Sequence, residues 1–303
     1  MSAGRIVVSG SSGLIGSALV ASLLADGTEV TRLVRRGAAP AADGSGEVEW
    51  HPGERELDPE VLAGADAVVN LNGASIGRLP WTRRYRQVLR ASRIRPTRTL
   101  ATAIRRLGAD APHFVSASAV GFYGDRPGER LTEGSGGGGT FLARLCAEWE
   151  HEALRAGPAA RISLLRTASL LDPGAALKPL IALTRLGLSG PLGTGRQVWP
   201  WISLTDEVRA IRRVIDHEML GPVNLTGPSP ASANEIGREL AQRLRRPYLL
   251  PAPRWALRLG LGRDAADSLL LSDARVEPEA LIGSGFVFAH PTARSAIAAA
   301  IAA

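Results

Sequence analysis

Glycines recur at three-residue spacing near the start of the chain, at Gly10, Gly13 and Gly16. They follow an apolar stretch typical of a buried strand and open a segment whose apolar residues have helical spacing. Backbone N–H groups at a helix N-terminus bind anions, and glycine lets a phosphate approach the backbone because it has no side chain. The spacing therefore predicts a phosphate-binding loop over residues 10–16, which also includes Ser11, Ser12, Leu14 and Ile15.

A second strand over residues 29–34 would close a strand–helix–strand unit, the unit that binds the pyrophosphate of a dinucleotide. An acidic residue at the end of this strand would bind the ribose 2′-hydroxyl of NAD, but Arg35 and Arg36 stand there. Because a guanidinium pairs with a 2′-phosphate, the sequence favours NADP(H) as cofactor. The alternative is a pair of exposed surface arginines. Leu71, Asn72 and Gly73 follow the next buried strand and are predicted to form a wall of the cofactor site, although a plain strand-ending turn has a similar sequence.

Strands and helices alternate over the first 170 residues, which predicts an α/β fold with a doubly wound parallel Rossmann sheet. Further apolar strands are predicted over residues 65–71, 113–116 and 162–165, and a helix over 141–155. Beyond residue 171 prolines interrupt the pattern. We therefore predict a Rossmann domain over 1–170, completed by about 203–226, and a smaller, mostly helical substrate lobe over 171–202 and 227–303.

The composition is that of a globular protein, with 303 residues, 45% hydrophobic and 21% charged. No apolar run reaches the roughly 18 residues of a membrane span, and no signal peptide is recognised, so we expect a cytoplasmic protein. Because Cys146 is the only cysteine in the sequence, the chain can form neither an intrachain disulfide nor a metal cluster held by several thiolates. The five histidines show no metal-binding spacing, so no metal is expected.

The net charge of +7 comes almost entirely from arginine. Residues 81–108 contain nine arginines and no carboxylate, which indicates a solvated helical face with some capacity to bind phosphate. Acidic residues are interleaved along most of the remaining chain, so nucleic acid is not the favoured partner. Pro96 is predicted to kink this helix or to end it at Arg95.

Four motifs together resemble the extended short-chain dehydrogenase/reductases: Gly10-Ser-Ser-Gly-Leu-Ile-Gly16, Asn70-Leu-Asn-Gly73, Ser116-Ala-Ser-Ala-Val-Gly-Phe-Tyr-Gly124 and Trp201-Ile-Ser-Leu-Thr-Asp206. The sequence is similar, more narrowly, to the atypical "epimerase family" branch, often labelled nucleoside-diphosphate-sugar epimerase or cell-division inhibitor. That likeness is carried by Ser92-Arg-Ile94, Phe141-Leu-Ala-Arg-Leu-Cys-Ala-Glu-Trp-Glu150, Gly187-Leu-Ser-Gly-Pro-Leu-Gly-Thr-Gly-Arg-Gln197 and Gly221-Pro-Val-Asn-Leu-Thr226.

The wider superfamily uses a tyrosine, activated by a lysine four residues later, as its acid or base. The resemblance puts Phe141 and Leu145 at those two positions, where an apolar helix face is the better interpretation. It leaves Ser118, or a register in which Ala119 takes its place, and Tyr123 as candidate catalytic residues.

The resemblance also directs Arg93 towards the cofactor and puts Ser116 beside it. Arg196, Trp199 and Trp201 are predicted to line the substrate cleft, with packing between the lobes as the alternative.

The resemblance and the motifs together imply an NADP(H)-binding oxidoreductase or epimerase acting on a small substrate, such as a carbonyl compound or a nucleotide-sugar. The alternative from another class is a non-catalytic NADPH-binding sensor or interaction protein with a basic helical surface. The missing tyrosine and lysine favour this alternative, and the glycine loop fits both.

Overall fold

The structure is a computed structural model, and it describes residues 4–35, 37–38 and 43–302. Its strands, in chain order, are β1 (Arg5–Ser9), β2 (Glu29–Val34), β3 (Gly46–Glu49), β4 (Ala67–Asn70), β5 (His113–Ala119), β6 (Arg126–Leu131), β7 (Ile162–Thr167), β8 (Ser169–Leu170), β9 (Trp201–Ile202), β10 (Gly221–Leu225) and β11 (Ala274–Val276). Its helices are α1 (Leu14–Ala25), α2 (Arg83–Leu107), α3 (Phe141–Leu154), α4 (Leu177–Arg185), α5 (Leu204–Asp216), α6 (Ala233–Arg243), α7 (Arg254–Leu261), α8 (Arg263–Ala265), α9 (Glu279–Gly283) and α10 (Ala293–Ala302).

Seven strands form one sheet in the order β10-β7-β5-β4-β1-β2-β3, and every pairing in it is parallel. The chain builds outward from β1 to β2 and β3, then crosses to β4 on the other side of β1. In such sheets ligands bind at the carboxyl ends of the strands, where the strand order reverses. The predicted α/β Rossmann fold is confirmed, and the switch point lies between β1 and β4.

Helices cover both faces of the sheet, so its strands are apolar on both sides. On one face α1 and α5 pack together, with Leu19 and Ile211 among the buried residues of that layer. On the other face α2 and α3 pack together, with Leu100 and Phe114 in the core. The sheet is therefore held rigidly between two apolar layers, and its carboxyl edge is a fixed platform.

Helix α2 runs without interruption through Pro96, so the predicted end of the helix at Arg95 is wrong. An interior proline costs a helix about 3 kcal/mol. The apolar face of α2 is buried both before the proline, at Leu89, and after it, at Leu100 and Ile104. Because each such side chain contributes about 1.5–3 kcal/mol on burial, packing against the core outweighs the proline.

Beyond β7 the chain adds helices α4 to α10 and two small parallel two-stranded sheets, β8 with β9 and β11 with β6. Strand β10 is an edge strand of the main sheet. Helix α4 was not expected because it contains Pro179, but this proline lies in the first turn, where no helical N–H is needed. The helical C-terminal region is present as expected, and the division into two lobes stays a prediction.

Candidate active site

Close packing at the carboxyl end of β1 requires glycine at positions 10 and 16 and leaves little room for a side chain at position 13. Gly10 has a φ of +77°, and a Cβ there would lie 2.7 Å from the carbonyl carbon of Leu71. A Cβ on Gly16 would lie 2.3 Å from the carbonyl oxygen of Gly10. The N–H of Gly13 donates a 3.1 Å hydrogen bond to that same oxygen. Only glycine fits this turn, which brings the start of α1 directly over the end of β1.

The N-terminus of α1 is open to an anion. Its N-cap is Gly13, which gives no side-chain cap, and no acidic residue lies in the first turn. The N–H groups of Leu14 and Ile15 have no partner within the helix, as in any first turn. Ser11 is buried, whereas Ser12 is exposed. The sequence-predicted loop therefore presents uncompensated donors at the positive end of the helix dipole.

A buried polar network fixes the wall opposite the loop, across the ends of β1, β4 and β5. Asn72 donates 2.7 Å to the hydroxyl of Ser9, which hydrogen-bonds with Asn70 at 3.1 Å. Asn70 in turn donates to Thr97 at 2.8 Å and to Ser116 at 3.4 Å. The Ser116 side chain is fully buried in this network, and its predicted position beside the cofactor stays a prediction. The network supports the backbone of residues 71–73, which lies against the glycine loop.

Arg93 lies beneath this wall, and no carboxylate of the described residues pairs with it. Its Nη1 donates to the carbonyl oxygens of Ala74, at 3.2 Å, and Leu89, at 3.1 Å, and the guanidinium lies 5.2 Å from the Trp149 ring. A Cβ on Gly73 would lie 3.2 Å from Arg93 Cζ. Because glycine has no Cβ, the backbone at residue 73 can pack directly against the guanidinium. Burial lowers the pKa of Arg93. Nε and Nη2 form no hydrogen bond within the part of the chain that the structure describes, so this cation retains donors for an anionic ligand.

Arg35 lies immediately after β2 and is exposed. Strand β2 neighbours β1 on the side away from β4, so Arg35 stands at the carboxyl edge of the sheet. Arg36 lies outside the described residues.

The positions of the superfamily's tyrosine and lysine lie in an apolar cluster. Leu145 is buried with Trp81, and the Phe141 ring lies 5.5 Å from that indole. Cys146, the next residue on α3, is buried, and burial raises the pKa of its thiol to about 12. This face of α3 therefore carries no group that could exchange a proton near neutral pH.

Ser118 and Tyr123 belong to a second buried network rather than to an open site. Ser118 donates 2.7 Å to Glu150, which pairs with Arg166 through two hydrogen bonds of 2.8 and 2.9 Å. Tyr123 donates 2.6 Å to Asn224 and accepts from Arg166 at 2.9 Å. Tyr123 is fully buried, and burial raises the pKa of its phenol. Because the network occupies both hydroxyls, its geometry does not favour the expectation that Tyr123 acts as an acid.

Sequence reasoning missed a buried carboxyl beside the end of β7. Glu207 on α5 is fully buried, and Thr167, the last residue of β7, donates to it at 2.8 Å. The second carboxylate oxygen has no hydrogen-bond partner among the described residues. Burial raises the pKa of Glu207 to about 8. The only sequence signal was a glutamate on the apolar face of a helix whose neighbours Val208 and Ile211 are core residues.

The three predicted cleft residues separate in the structure. Arg196 is exposed. Trp199 is half-buried, and its indole N–H donates a 3.2 Å hydrogen bond to the carbonyl of Leu270. Trp201 is 1% exposed and donates to the carbonyl of Ser229 at 2.9 Å. Trp201 is therefore a core residue and the cleft role predicted for it is wrong, because strand β9 turns its indole into the C-terminal layer.

The arginine-rich helix is less basic than its sequence indicates. Carboxylates from elsewhere in the chain pair with four of its nine arginines, and the pairs are Arg86–Asp264, Arg90–Glu148, Arg98–Glu152 and Arg106–Glu56. Three of these pairs are exposed or half-exposed and contribute little stability, whereas Glu152 is buried. All four cancel part of the local charge. This charge compensation weakens the hypothesis of a polyanion-binding face on α2.

Two cavities of about 410 and 230 Å³ lie beside the loop of residues 51–58 at the β3 edge, away from the glycine loop.

Among the described residues, no cluster of three or more His, Cys, Asp or Glu side chains could hold a metal ion. None of the helices described is long and apolar enough to cross a membrane.

Residues 6–225 match the model of the NAD dependent epimerase/dehydratase family. The chain belongs to this family. Residues 252–300 also match a domain of unknown function, DUF1731, which covers α7 to α10.

Curated relatives and solved structures resemble the chain over nearly its full length. Epimerase family protein Mb2239 of Mycobacterium bovis is 42% identical over 297 residues, which are 96% of each chain. The crystal structure of human epimerase family protein SDR39U1 with NADPH superposes with a TM-score of 0.85 and 27% identity, covering 98% of this chain and 99% of the human one. MoeE5, solved with UDP-glucose and NAD, has a TM-score of 0.76 at 23% identity, covers 99% of this chain and 98% of its own, and shows a shared fold.

Proposed function

We propose that this epimerase-family chain binds NADP(H) at the carboxyl edge of its sheet and uses it for oxidoreduction or epimerisation of a small carbonyl compound or nucleotide-sugar. The observation that carries the proposal is that two anion-binding features lie on opposite sides of residues 71–73. The open N-terminus of α1 faces residues 71–73 from one side, and Arg93, which has no counter-ion among the described residues, supports them from the other. The NADPH in the human relative's crystal structure supports the same cofactor.

Each part of the site has a distinct role in this proposal. The residue 10–16 loop binds the pyrophosphate through backbone N–H groups. Arg35 selects the 2′-phosphate, and an exposed arginine with no described counter-ion suits that role. Arg93 supplies a buried positive charge to a phosphate or ribose oxygen. The cofactor itself supplies hydride exchange with a substrate carbon, and the protein supplies orientation.

Cofactor binding is tested by titrating the protein with NADPH and with NADH, following nucleotide fluorescence. Losing one charge-assisted contact corresponds to about a tenfold weaker affinity. We expect Arg35→Ala to weaken NADPH by about that factor and to leave NADH almost unchanged. Arg93→Gln should weaken both nucleotides, whereas Arg95→Gln, on the exposed face of the same helix, should change neither. Equal losses of NADPH and NADH in Arg35→Ala would contradict the assignment of the 2′-phosphate.

A non-catalytic NADPH-binding protein is the second candidate, and the apolar cluster around Phe141 and Leu145 favours it. The two candidates differ in turnover. Oxidation of NADPH in the presence of a panel of carbonyl compounds, or interconversion of nucleotide-sugars, identifies an enzyme. If tight NADPH binding persists while every substrate leaves the nucleotide and itself unchanged, the binding role replaces the enzymatic one.

A Ser118→Ala variant then tests the remaining catalytic candidate. If Ser118 contacts the substrate, kcat falls while NADPH affinity is retained. If its only role is the hydrogen bond to Glu150, the free energy of unfolding falls and kcat of the folded protein does not.

A further inference from the structure

An exposed apolar surface lies in the C-terminal region, far along the chain from the proposed cofactor loop. Seven of the fifteen large apolar side chains that are exposed in the described structure come from residues 183–188 and 249–259. The most exposed are Leu259 at 82%, Leu249 at 74%, Leu186 at 72% and Trp255 at 70%. Single exposed apolar residues are normal, but a concentration of them marks an interaction surface.

Backbone hydrogen bonds join the two segments side by side. The N–H groups of Leu249 and Leu250 donate to the carbonyl of Ser189 at 2.9 and 3.1 Å, and that of Ala252 donates to Pro191 at 2.8 Å. Helix α7 begins two residues later, and its Trp255 and Leu259 share one side because they are four residues apart. We name this surface the Leu/Trp face, and it consists of Leu183, Leu186, Leu188, Leu249, Leu250, Trp255 and Leu259.

Arg258 of α7 pairs with Asp267, but the two segments that form the Leu/Trp face contribute no carboxylate of their own. Neither residues 173–205 nor residues 240–263 contain an aspartate or glutamate. Arg185, Arg245, Arg246 and Arg254 are exposed, and none of them forms an ion pair with a described carboxylate. This differs from α2, where partner carboxylates offset the charge. The surface therefore combines protruding apolar side chains with uncompensated arginines.

This combination decides between the possible occupants. A symmetric contact between two copies would place each arginine against a copy of the same cluster, which is repulsive. Recognition of a protein helix uses an apolar groove, whereas these side chains project into solvent. Leucine and tryptophan interleaved with arginine are typical of helices that lie in the headgroup region of a membrane.

We infer that the Leu/Trp face binds peripherally to an anionic lipid bilayer, with Trp255 and the leucines in the headgroup region and the arginines on lipid phosphates. The inference is independent of the proposed enzymatic function. It needs no membrane-spanning segment, because the apolar side chains belong to loops, to the end of the nine-residue helix α4 and to the eight-residue helix α7.

Intrinsic fluorescence of the full chain tests this directly, because the other five tryptophans are buried or half-buried. Vesicles of brominated phosphatidylcholine with phosphatidylglycerol should shift the emission to shorter wavelength and quench it. Vesicles lacking phosphatidylglycerol should do neither, and about 1 M salt should abolish the effect, because the Debye length then falls to about 3 Å. Equal quenching by neutral vesicles, or none by anionic ones, would overturn the inference.

Matched variants, which keep Trp255 as the reporter, then locate the binding surface. Leu249→Ser with Leu259→Ser should reduce vesicle binding at least about tenfold, whereas Val287→Ser, at a residue 73% exposed but outside the face, should not. Vesicle binding should fall about a hundredfold when Arg245→Gln, Arg246→Gln and Arg254→Gln are combined. It should change little when Arg83→Gln is combined with Arg84→Gln. Equal losses in the controls would contradict the location. Lipid-free self-association that is abolished by Leu249→Ser would assign the face to a dimer instead.

Discussion

The hydroxyl of Thr167 donates a 2.8 Å hydrogen bond to one carboxylate oxygen of Glu207, and the other oxygen of that carboxylate is buried without a described partner. An ionised carboxylate in this environment would lack most of the hydrogen bonds that water gives it. Burial therefore raises the pKa of Glu207 to about 8, and the group is protonated in the folded protein at neutral pH.

Glu207→Gln should stabilise the protein at neutral and alkaline pH. Below the ordinary glutamate pKa of 4.5 both states carry the proton, and the substitution should change little. Between 4.5 and about 8 only the unfolded state ionises, so the wild type loses up to about 1.4 kcal/mol of stability per pH unit. Urea unfolding at pH 5 and pH 8 should show the gain of the variant increasing with pH. Glu54→Gln, at an exposed position, is the control, and a gain that does not depend on pH would contradict this account.

His113 should produce the opposite pH dependence. Its Nε2 lies 2.7 Å from the Ser163 hydroxyl, which donates its own proton to the carbonyl of Met219, so Nε2 carries the hydrogen. The buried Nδ1 has no hydrogen-bond partner among the described residues. Burial lowers the pKa of His113 from 6.5 to about 4. Stability should therefore fall by up to about 1.4 kcal/mol per unit as pH decreases through this window, because only the unfolded state takes up the proton.

Replacing the imidazole isolates that effect. His113→Gln should flatten the loss of stability between pH 6.5 and pH 4, measured as the urea midpoint. His217→Gln, at an exposed position, should retain the wild-type slope. A His113→Gln profile parallel to that of the wild type would show that other groups cause the acid sensitivity.

Gly10→Ala should weaken NADPH binding at least about tenfold, because its Cβ would lie 2.7 Å from the Leu71 backbone and would displace the wall of the site. Gly27→Ala is a matched control, since Gly27 has nearly the same φ, +76° against +77°, but open space around its Cβ position. Both variants should lose about 1 kcal/mol of stability from the left-handed backbone. Only Gly10→Ala should lose affinity in a fluorescence titration, and an equal loss in both would remove the steric explanation.

Glu150→Gln should destabilise the fold by about 3–5 kcal/mol, because it leaves the buried Arg166 guanidinium without its counter-ion. Glu148, two residues earlier on α3, pairs with Arg90, whose side chain is 56% exposed. Glu148→Gln should therefore change stability by about 1 kcal/mol or less. Thermal unfolding of both variants makes the comparison, and similar shifts would mean that the Glu150–Arg166 pair contributes no more than a surface pair.

Much of the Rossmann half of the fold was predictable from local sequence. The strand–loop–helix of residues 5–25 and the alternation that follows are encoded in apolar periodicity and in glycine spacing, both of which act over a few residues. The likeness to the epimerase family also followed from contiguous motifs. Helix α2 was the exception within this half, because the burial that carries it through Pro96 depends on residues distant in sequence.

The site was predictable where backbone forms it and less so where side chains meet across the sheet. The spacing of Gly10 and Gly16 predicted the turn that they form. The Ser92-Arg-Ile94 motif predicted that Arg93 is directed towards the cofactor site. The resemblance made Ser118 and Tyr123 candidate catalytic residues, but it could not show that Glu150, Arg166 and Asn224, on other elements, hydrogen-bond with their hydroxyls.

The sequence by itself therefore determined the glycine loop, the parallel α/β plan and the absence of the usual tyrosine and lysine. Only the tertiary structure decided which polar groups are paired. It buried Trp201 and brought residues 183–188 beside 249–259. Within the described part of the chain, it left one oxygen of Glu207 without a partner and Arg93 without a counter-ion. The physical reason is the distance along the sequence over which each effect acts. Backbone geometry and apolar periodicity depend on near neighbours in sequence, whereas burial, ion pairing and surface charge depend on residues that only the fold brings together.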